Sequence, residues 1–451
     1  METATTENQN TKKARVYSRG TLTYTPMQLV KLFICLLVGG FSITFINYVQ
    51  GGGLFTLSLN AFNTSPVIMG IVLGSIPAGL NMILCPIISY RSDRSCSKLG
   101  RRKPYILMSV PIMAIAIAAI GWAPYIVNPV ANMFNLAPDT VGKILIGTLV
   151  VIYSFFNMFV GSVFYYLYAD VVPLEFIGRF NAFFTLVGSA TGIVFSFAVS
   201  HFINDYMPWI YTAAALIFFL GMMGVCLWVK EEVQQKPEES LTPLQSAKNY
   251  LKECFASDKI YWWFFTATAA NEVSVLCRGL FNVLFATEEL QISKDVYFKI
   301  GGYIGPFILL LYFIMGFLVD YFRAIRVYFA GMILVIAANI YGYFFCNGLT
   351  SYIVVAVALS VVYCIQNSST MPLFVDILPK DRYGQFCSAQ ALFRSVLMFI
   401  CNAIAGTTVA LFGYRFIFVW DALFTIFALF ATFMMARRWS QLGGIKSYIA
   451  P

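Results

Sequence analysis

The sequence predicts an all-α polytopic membrane protein with twelve transmembrane helices arranged in two six-helix bundles. Three observations support this prediction: the composition, a regular series of apolar segments, and one long polar linker near the midpoint. Of the 451 residues, 59% are hydrophobic and 11% are charged, whereas soluble globular proteins carry about 25% charged residues. A water-soluble fold would expose too much apolar surface, and a lipid bilayer removes that difficulty.

The apolar segments are each long enough to cross a bilayer, which requires about 20 mostly apolar residues. The twelve predicted helices span 29–50, 66–90, 104–126, 141–168, 182–204, 209–229, 260–286, 300–320, 327–346, 350–373, 388–412 and 415–436.

The longest polar stretch follows the sixth of these segments and divides the chain into two halves. The predicted parts are an N-terminal tail at 1–28, a six-helix bundle at 29–229, a linker at 230–259, a second bundle at 260–436 and a tail at 437–451. The second part of the linker, 241–255, is compatible with an amphipathic helix on the membrane surface.

Basic residues mark one side of the predicted bundle. They gather in both tails, in the linker and in the 91–103 loop, while the opposite side holds only Lys143, Lys294, Lys299 and Arg415. The positive-inside rule therefore places both termini in the cytoplasm. An even number of helices also puts the two termini on the same side.

An internal repeat links the loop after helix four to the loop after helix ten. At an offset of 206 residues, an acid, a proline, a second acid, a glycine and a phenylalanine recur in register. The two sets are Asp170, Pro173, Glu175, Gly178 and Phe180, and Asp376, Pro379, Asp381, Gly384 and Phe386. A weaker echo links Asp93 and Arg94 with Asp320 and Arg323. Such a repeat is typical of a duplicated transporter with parallel halves.

The loop after helix two carries the most specific motif. Asp93-Arg94 is followed, after a gap, by Gly100-Arg101-Arg102 and then Lys103-Pro-Tyr-Ile. This motif resembles the helix 2–3 signature of the major facilitator superfamily, and its long gap is similar to that of glycoside–pentoside–hexuronide and sucrose-type sugar symporters. The resemblance implies the major facilitator fold and secondary transport of a sugar or glycoside, by alternating access, across a plasma membrane (in a bacterium, the inner membrane).

The same resemblance bears on coupling. Sodium-coupled members of the sugar symporter group carry acids along helix two and in the middle of helix four, and this chain has none there before Asp93 and Asp170. Sodium coupling of that kind is therefore not expected. Proton coupling and facilitated diffusion both stay open.

Charged residues in the cytoplasmic loops form a predicted gate. We expect them to pair and to lock the cytoplasmic ends of the two bundles while the carrier faces outward. The alternative is that they only set topology and extend into water. The residues are Asp93, Arg94, Gly100, Arg101, Arg102, Asp170, Glu175, Arg179, Asp320, Arg323, Asp376 and Asp381.

Helix seven carries the clearest polar face. Asn271, Arg278 and Asn282 recur at helical spacing and so share one face, and Glu272 lies one residue away near the middle of the segment. Glu272 and Arg278 point about 120° apart at 3.6 residues per turn, so each should meet a partner on another helix or project toward the same cavity edge. A charged residue at this depth predicts substrate binding or proton coupling. The alternative is a structural ion pair.

Polar residues on two further helices complete the predicted binding site: Tyr153 and Asn157 on helix four, and Tyr363, Gln366 and Asn367 on helix ten. Their amides and phenols suit a hydroxyl-rich solute, although such residues also join helices to one another. Asp421 is a second acid expected inside the membrane, and Arg394 is expected to extend its guanidinium to water.

Other classes of function find little support. The ten cysteines lack metal-ligand spacing, and His201 is the sole histidine, so we expect no metal, no cofactor and no enzyme activity. Lys and Arg are dispersed between apolar segments, which argues against nucleic-acid binding. The expected partners are a small solute, protons if transport is coupled, and the bilayer, and the expected state is a monomer.

Two other functions stay open. One is proton-driven export of amphipathic compounds, which the absence of proline between Gly188 and Gly192 of helix five disfavours. The other is a sensor that keeps the fold without transporting anything.

Overall fold

The computed structural model describes residues 17–19, 21–93, 100, 102–231, 254–255, 258–379, 382–444, 448 and 450, with the backbone alone at 85, 86, 89–93, 174 and 384. Twelve long helices dominate this part of the chain. The first six are α1 (Pro26–Gly51), α2 (Pro66–Met69, the π-helical turn Gly70–Ser75 and Ile76–Asp93), α3 (Lys103–Phe134), α4 (Pro138–Val171), α5 (Ile177–Phe202) and α6 (Met207–Trp228). The second six are α7 (Lys259–Leu284), α8 (Lys294–Phe322), α9 (Ala324–Phe345), α10 (Leu349–Ile377), α11 (Tyr383–Phe412) and α12 (Phe416–Gln441).

Short elements flank these helices. A hairpin of β1 (Tyr17–Arg19) and β2 (Leu22–Tyr24) precedes α1, and a short helix, Leu54–Asn60, follows it. A 3₁₀ turn, Leu174–Phe176, leads into α5, and a π-helical turn, Phe285–Glu289, extends α7. The sequence did not predict the hairpin or the short helix, and the amphipathic helix expected at 241–255 lies outside the described residues except at its last two positions.

Apolar composition makes most of the helices suitable for a bilayer. In the described part of the chain, eleven helical segments are long and apolar enough to cross a membrane. They comprise all the long helices except α7, whose polar residues Asn271, Glu272 and Arg278 lower its hydropathy. The protein is thus an all-α polytopic membrane protein, as predicted.

The helix ends follow from local chemistry. Gln28 N donates to Thr25 Oγ1 (3.4 Å) and Thr25 N donates to Gln28 Oε1 (2.9 Å), which forms a capping box at the start of α1. Pro26 occupies the first helical position, where its missing N–H costs nothing. By contrast, α3 continues through Pro124 and Pro129 to Phe134, eight residues past the predicted end. Membrane helices tolerate interior prolines because neighbouring helices can satisfy the backbone groups that the proline leaves unpaired.

The repeat seen in the sequence is also present in the structure. α4 ends at Val171 and α10 at Ile377, while α5 begins at Ile177 and α11 at Tyr383, so both pairs differ by 206 residues (377 − 171 and 383 − 177). Phe180 and its counterpart Phe386 are both fully buried. The helix ends around this loop therefore match between the two six-helix halves, hereafter the N-lobe and the C-lobe.

Both ends of the described chain lie on one side of the bundle, here called the terminal side. Arg19 Nη2 donates to Ala169 O at the end of α4 (2.8 Å), and Tyr448 Oη donates to Ile377 O at the end of α10 (2.8 Å). Arg438, near the end of α12, pairs with Asp258, just before α7. The opposite side is called the far side.

The two lobes meet along two helix pairs, α2 with α11 and α5 with α8. The first pair is packed closely enough to exclude side chains. A Cβ at Gly70 would lie 2.5 Å from Asn402 O, and a Cβ at Gly406 would lie 2.4 Å from Pro66 O. We call this contact between α2 and α11 the glycine seam.

The lobes also meet at the far side. Thr56 Oγ1, on the short helix after α1, donates to Leu280 O on α7 (3.1 Å), and Asn60 Nδ2 donates to Glu288 Oε1 (3.2 Å). At the middle of α7, however, the Glu272 side chain is 41% exposed. The lobes therefore touch at the far side, while the middle of α7 stays partly accessible at Glu272.

Candidate functional site

Two adjoining cavities lie at the centre of the molecule. The polar cavity has a volume of about 430 Å³. Its lining comprises Gly51, Asn271, Glu272, Val275, Arg278, Gly279, Asn282, Tyr297, Tyr363, Gln366 and Asn367. The interlobe cavity, of about 570 Å³, is bounded by α1 and α5 of the N-lobe and by α7, α8 and α10 of the C-lobe. The two share Asn282, Tyr297, Tyr363 and Asn367, so they adjoin at these side chains.

The polar face of α7 supplies most of the polar cavity. Because residues four and seven apart stand on one side of a helix, Asn271, Arg278 and Asn282 reach the cavity together, and Glu272 reaches its edge. α10 adds Tyr363, Gln366 and Asn367. The structure thus brings together seven of the nine residues that the sequence proposed for solute binding or coupling.

Arg278 belongs to a buried ionic cluster formed by four helices. Its Nε lies 3.6 Å from Oδ2 of Asp421 on α12, a carboxylate with no exposed surface. Arg278 Nη2 donates to Asn339 Oδ1 on α9 (2.6 Å), and Asn339 Nδ2 donates to Asp421 Oδ2 (2.9 Å). Tyr363 of α10 donates its hydroxyl to the same carboxylate oxygen. Since Tyr363 and Arg278 line the cavity, they connect it to the buried acid.

Glu272 forms a second ion pair, at the edge of the polar cavity. Arg394 Nη1, on α11, donates to both Glu272 oxygens at 2.9 and 3.1 Å, and the two side chains are 33% and 41% exposed, respectively. The expectation that Glu272 and Arg278 find partners on other helices is therefore confirmed. Arg394 is partly exposed, as an arginine that extends toward water would be, and its guanidinium is also held by Glu272.

Amides and phenols form the rest of the wall. Gln366 Nε2 donates to Asn271 Oδ1, which joins α10 to α7. Asn282 Nδ2 donates to the hydroxyls of Tyr352 (3.0 Å) and Tyr297 (3.4 Å). The cavity therefore offers both hydrogen-bond donors and acceptors beside aromatic rings.

The α4 residues proposed for the site lie elsewhere. Tyr153 is fully buried in the N-lobe, where its hydroxyl donates to Gln50 Oε1 (3.3 Å) and its ring meets Phe55 edge-on. Neither Tyr153 nor Asn157 lines the polar or the interlobe cavity. The N-lobe wall comes instead from α1 and α5, with Tyr48, Ser189, Gly192 and Ser196.

Some residues of the predicted gate lie in the N-lobe around the start of α3. Arg102 Nε lies 3.2 Å from Asp170 Oδ2, and the guanidinium covers the ring of Tyr166 at 4.9 Å. Glu231 accepts from Arg102 N (2.8 Å) and Lys103 N (3.0 Å), which caps the first turn of α3. Gly100 has φ of +107°, and a Cβ there would lie 2.4 Å from Glu231 Oε2.

These contacts link the start of α3 to the end of α4 and to Glu231, just after α6. Glu175, Arg179, Asp320, Arg323 and Asp376 are exposed. Arg94, Arg101, Asp381 and the side chain of Asp93 lie outside the described part of the structure.

Several site residues were missed from the sequence. Asn339 is fully buried on α9, and its only sequence signal is a single amide inside an apolar run. Tyr297 and Tyr352 resemble the tyrosines that occur at the ends of many membrane helices, so nothing marked them as cavity residues.

Comparison with known proteins agrees with this architecture. A family model for MFS/sugar transport proteins matches residues 59–419. A bacterial homologue of the human lysosomal transporter Spinster, in an inward-facing and occupied conformation, has a similar structure, with a TM-score of 0.65 and 14% identity over 92% of this chain and 97% of that chain. The nucleoside transporter NupG gives a TM-score of 0.66 and 12% identity over 90% and 98% of the two chains.

A D-xylose–proton symporter is also similar, with a TM-score of 0.62 and 14% identity over 90% of this chain and 97% of that chain. At these identities the structural likeness shows the fold alone, whereas the family match covers most of the chain. The fold, the paired lobes and that match together lead to one conclusion: the chain belongs to the MFS/sugar transport protein family, within the major facilitator superfamily of membrane transporters.

Proposed function

We propose that this protein is a secondary transporter that moves a neutral, hydroxyl-rich solute, a sugar or glycoside, across the membrane by alternating access. The observation that carries the proposal is the polar cavity between the lobes. Asn271, Asn282, Gln366 and Asn367 supply amides there, and Tyr297 supplies an aromatic face. Sugars present hydroxyl groups and apolar C–H faces, which these two kinds of surface match.

The charges around the cavity support a neutral solute. Its two charged lining residues are Glu272 and Arg278, and each already faces an oppositely charged partner, Arg394 and Asp421. An ionic solute would bring an unbalanced charge into the depth of the membrane, which is costly. A neutral solute would only exchange hydrogen bonds with the wall.

We also propose that Asp421 carries the coupling proton. Tyr363 links it to the cavity, because the hydroxyl donates to Asp421 Oδ2 while the ring lines the wall. The groups that face this carboxylate are Arg278, Ser274 and Cys277 on α7, Asn339 on α9, Tyr363 on α10 and Thr425 on α12 itself. A proton on Asp421 would weaken its hold on Arg278, whose guanidinium would then donate to the solute. Glu272 is the alternative acid, since it already contacts solvent.

Labelled monosaccharides and disaccharides, offered to proteoliposomes with and without an imposed pH gradient, test both parts of the proposal. The wild type should accumulate at least one sugar, and the gradient should increase accumulation. Asp421→Asn should lose the gradient effect and keep sugar exchange between the two sides. Asp295→Asn, which removes an acid at the far side, is the matched control and should behave as wild type.

Three contrary results of this transport assay would each favour a different function. Sugar uptake without gradient dependence would remove the proton step and leave facilitated diffusion. Extrusion of a lipophilic dye instead of sugar uptake would favour the exporter, and no transport of any kind would favour the sensor.

We further propose that the protein is a plasma-membrane monomer with cytoplasmic termini and that the loop charges gate its terminal side. The basic residues on that side support the orientation, and the Arg102–Asp170 contact supports an ordered loop. Asp93→Asn should then abolish transport without lowering expression, and normal transport in that variant would contradict the gate.

A further inference from the structure

A second pocket lies on the terminal side, away from the central cavities. It has a volume of about 770 Å³ and lies between the start of α7 and the end of α12. Its polar and aromatic lining includes Asp258, Lys259, Trp262, Trp263, Arg437 and Arg438. The transport proposal uses none of these residues.

The charges in this pocket do not balance. Arg438 Nη2 lies 2.6 Å from Asp258 Oδ2, and its Nε lies 3.1 Å from Oδ1, so these two groups neutralise each other. Asp258 also accepts from Ile260 N (2.8 Å) and thereby caps α7. Lys259 and Arg437 pair with no acid among the described residues. Among the described lining residues three cations face one carboxylate, which leaves two positive charges in excess.

Aromatic and apolar groups surround these cations. Trp262 is 46% exposed, and Trp263 meets Phe430 of α12 edge-on at 5.9 Å. Below the pocket, Phe430 and Phe433 are 53% and 54% exposed on the outer surface of α12. Tryptophans at this level are typical of the membrane interface, and the exposed phenylalanines extend from it toward the hydrocarbon.

We propose that this pocket binds the phosphate headgroup of an anionic phospholipid. Lys259 and Arg437 contact the phosphate, Trp262 and Trp263 lie beside the glycerol region, and one acyl chain runs along Phe430 and Phe433. Basic pockets between transmembrane helices are suited to lipid headgroups. A soluble phosphate would use the same two cations, but it would leave the phenylalanine surface without a role.

Tryptophan quenching by brominated lipids provides the test. The purified full-length chain is placed in phosphatidylcholine nanodiscs, into which brominated phosphatidylglycerol or brominated phosphatidylcholine is titrated. Quenching should favour the phosphatidylglycerol, and Trp262→Phe/Trp263→Phe should remove most of that preference. The double variant Lys259→Gln/Arg437→Gln should weaken the preference by roughly tenfold or more, since each basic residue contributes to headgroup attraction. Lys230→Gln/Arg326→Gln removes two exposed cations elsewhere and is the control.

A preference that survives Lys259→Gln/Arg437→Gln, or that the control variant loses equally, would overturn the proposal. Inorganic phosphate provides a second arm. If it binds with the same dependence on Lys259 and Arg437 while brominated phosphatidylglycerol shows no preference, the site takes a soluble anion and the lipid assignment is wrong. Retained preference in excess phosphate supports the lipid.

Discussion

Replacing Asp421 with alanine should destabilise the protein more than breaking the shorter ion pair at Glu272. Asp421 has no exposed surface, and Arg278, its partner at 3.6 Å, is 13% exposed. The variant would leave the Arg278 charge and the Asn339 amide without the carboxylate, and removing one member of a buried pair costs about 3–5 kcal/mol. Glu272 and Arg394 approach to 2.9 Å but are 41% and 33% exposed, and exposed pairs contribute only about 0–1 kcal/mol.

A double-mutant cycle separates the pair from its surroundings. Arg278→Met and Asp421→Leu should each be costly because each leaves a lone buried charge. The double variant leaves none and should cost less than the sum of the two. The free energy of unfolding would be measured by denaturant titration of the purified protein in detergent micelles, followed by circular dichroism. Fully additive costs, or an Asp421→Ala variant more stable than Glu272→Ala, would refute the reasoning.

Three further outcomes follow from described contacts. Glu272→Gln should change the free energy of unfolding by less than about 1 kcal/mol yet reduce sugar uptake in proteoliposomes, and unchanged uptake would argue against a role in the site. Gly100→Ala should lower the unfolding free energy by about 1–3 kcal/mol, because φ is +107° and its Cβ would lie 2.4 Å from Glu231 Oε2; an unchanged unfolding free energy would contradict this. Hydrogen bonds from the Arg438 guanidinium hold the pKa of the Asp258 carboxyl below its ordinary value. This pair should therefore stabilise the protein fully above about pH 4 and lose that effect as the pH falls through the lowered pKa. Asp258→Asn should reduce the loss of unfolding free energy at acid pH, and an unchanged loss would contradict a stabilising role for this pair.

The general architecture was predictable from the sequence because the bilayer imposes it. Bilayer thickness fixes the length of the apolar segments, and the polar linker and the repeated Asp170 and Asp376 loops divide those segments into two halves. The polar face of α7 was predictable for a similar reason. Charged and amide groups at mid-depth, such as Glu272 and Asn282, must turn away from lipid.

The partners of those groups could not be predicted, because they depend on how helices from distant parts of the chain pack. The predicted start of helix eleven at 388 put Arg394 near the helix end, where extension to water is the ordinary expectation. α11 begins at Tyr383 instead, and its packing against α7 places Arg394 beside Glu272. Tyr153 was placed wrongly for a different reason. Its polarity suggested a cavity, but the rotation of α4 turns it toward Phe55 inside the N-lobe.

The glycine seam restricts how the two lobes can move relative to one another. Backbone lies against backbone there, with Gly70 against Asn402 and Gly406 against Pro66, so the lobes cannot come closer at that line. If the protein opens first to one side of the membrane and then to the other, the lobes should rotate about an axis at the seam. Residues beside the seam would then move least, and residues at the two ends of the helices would move most.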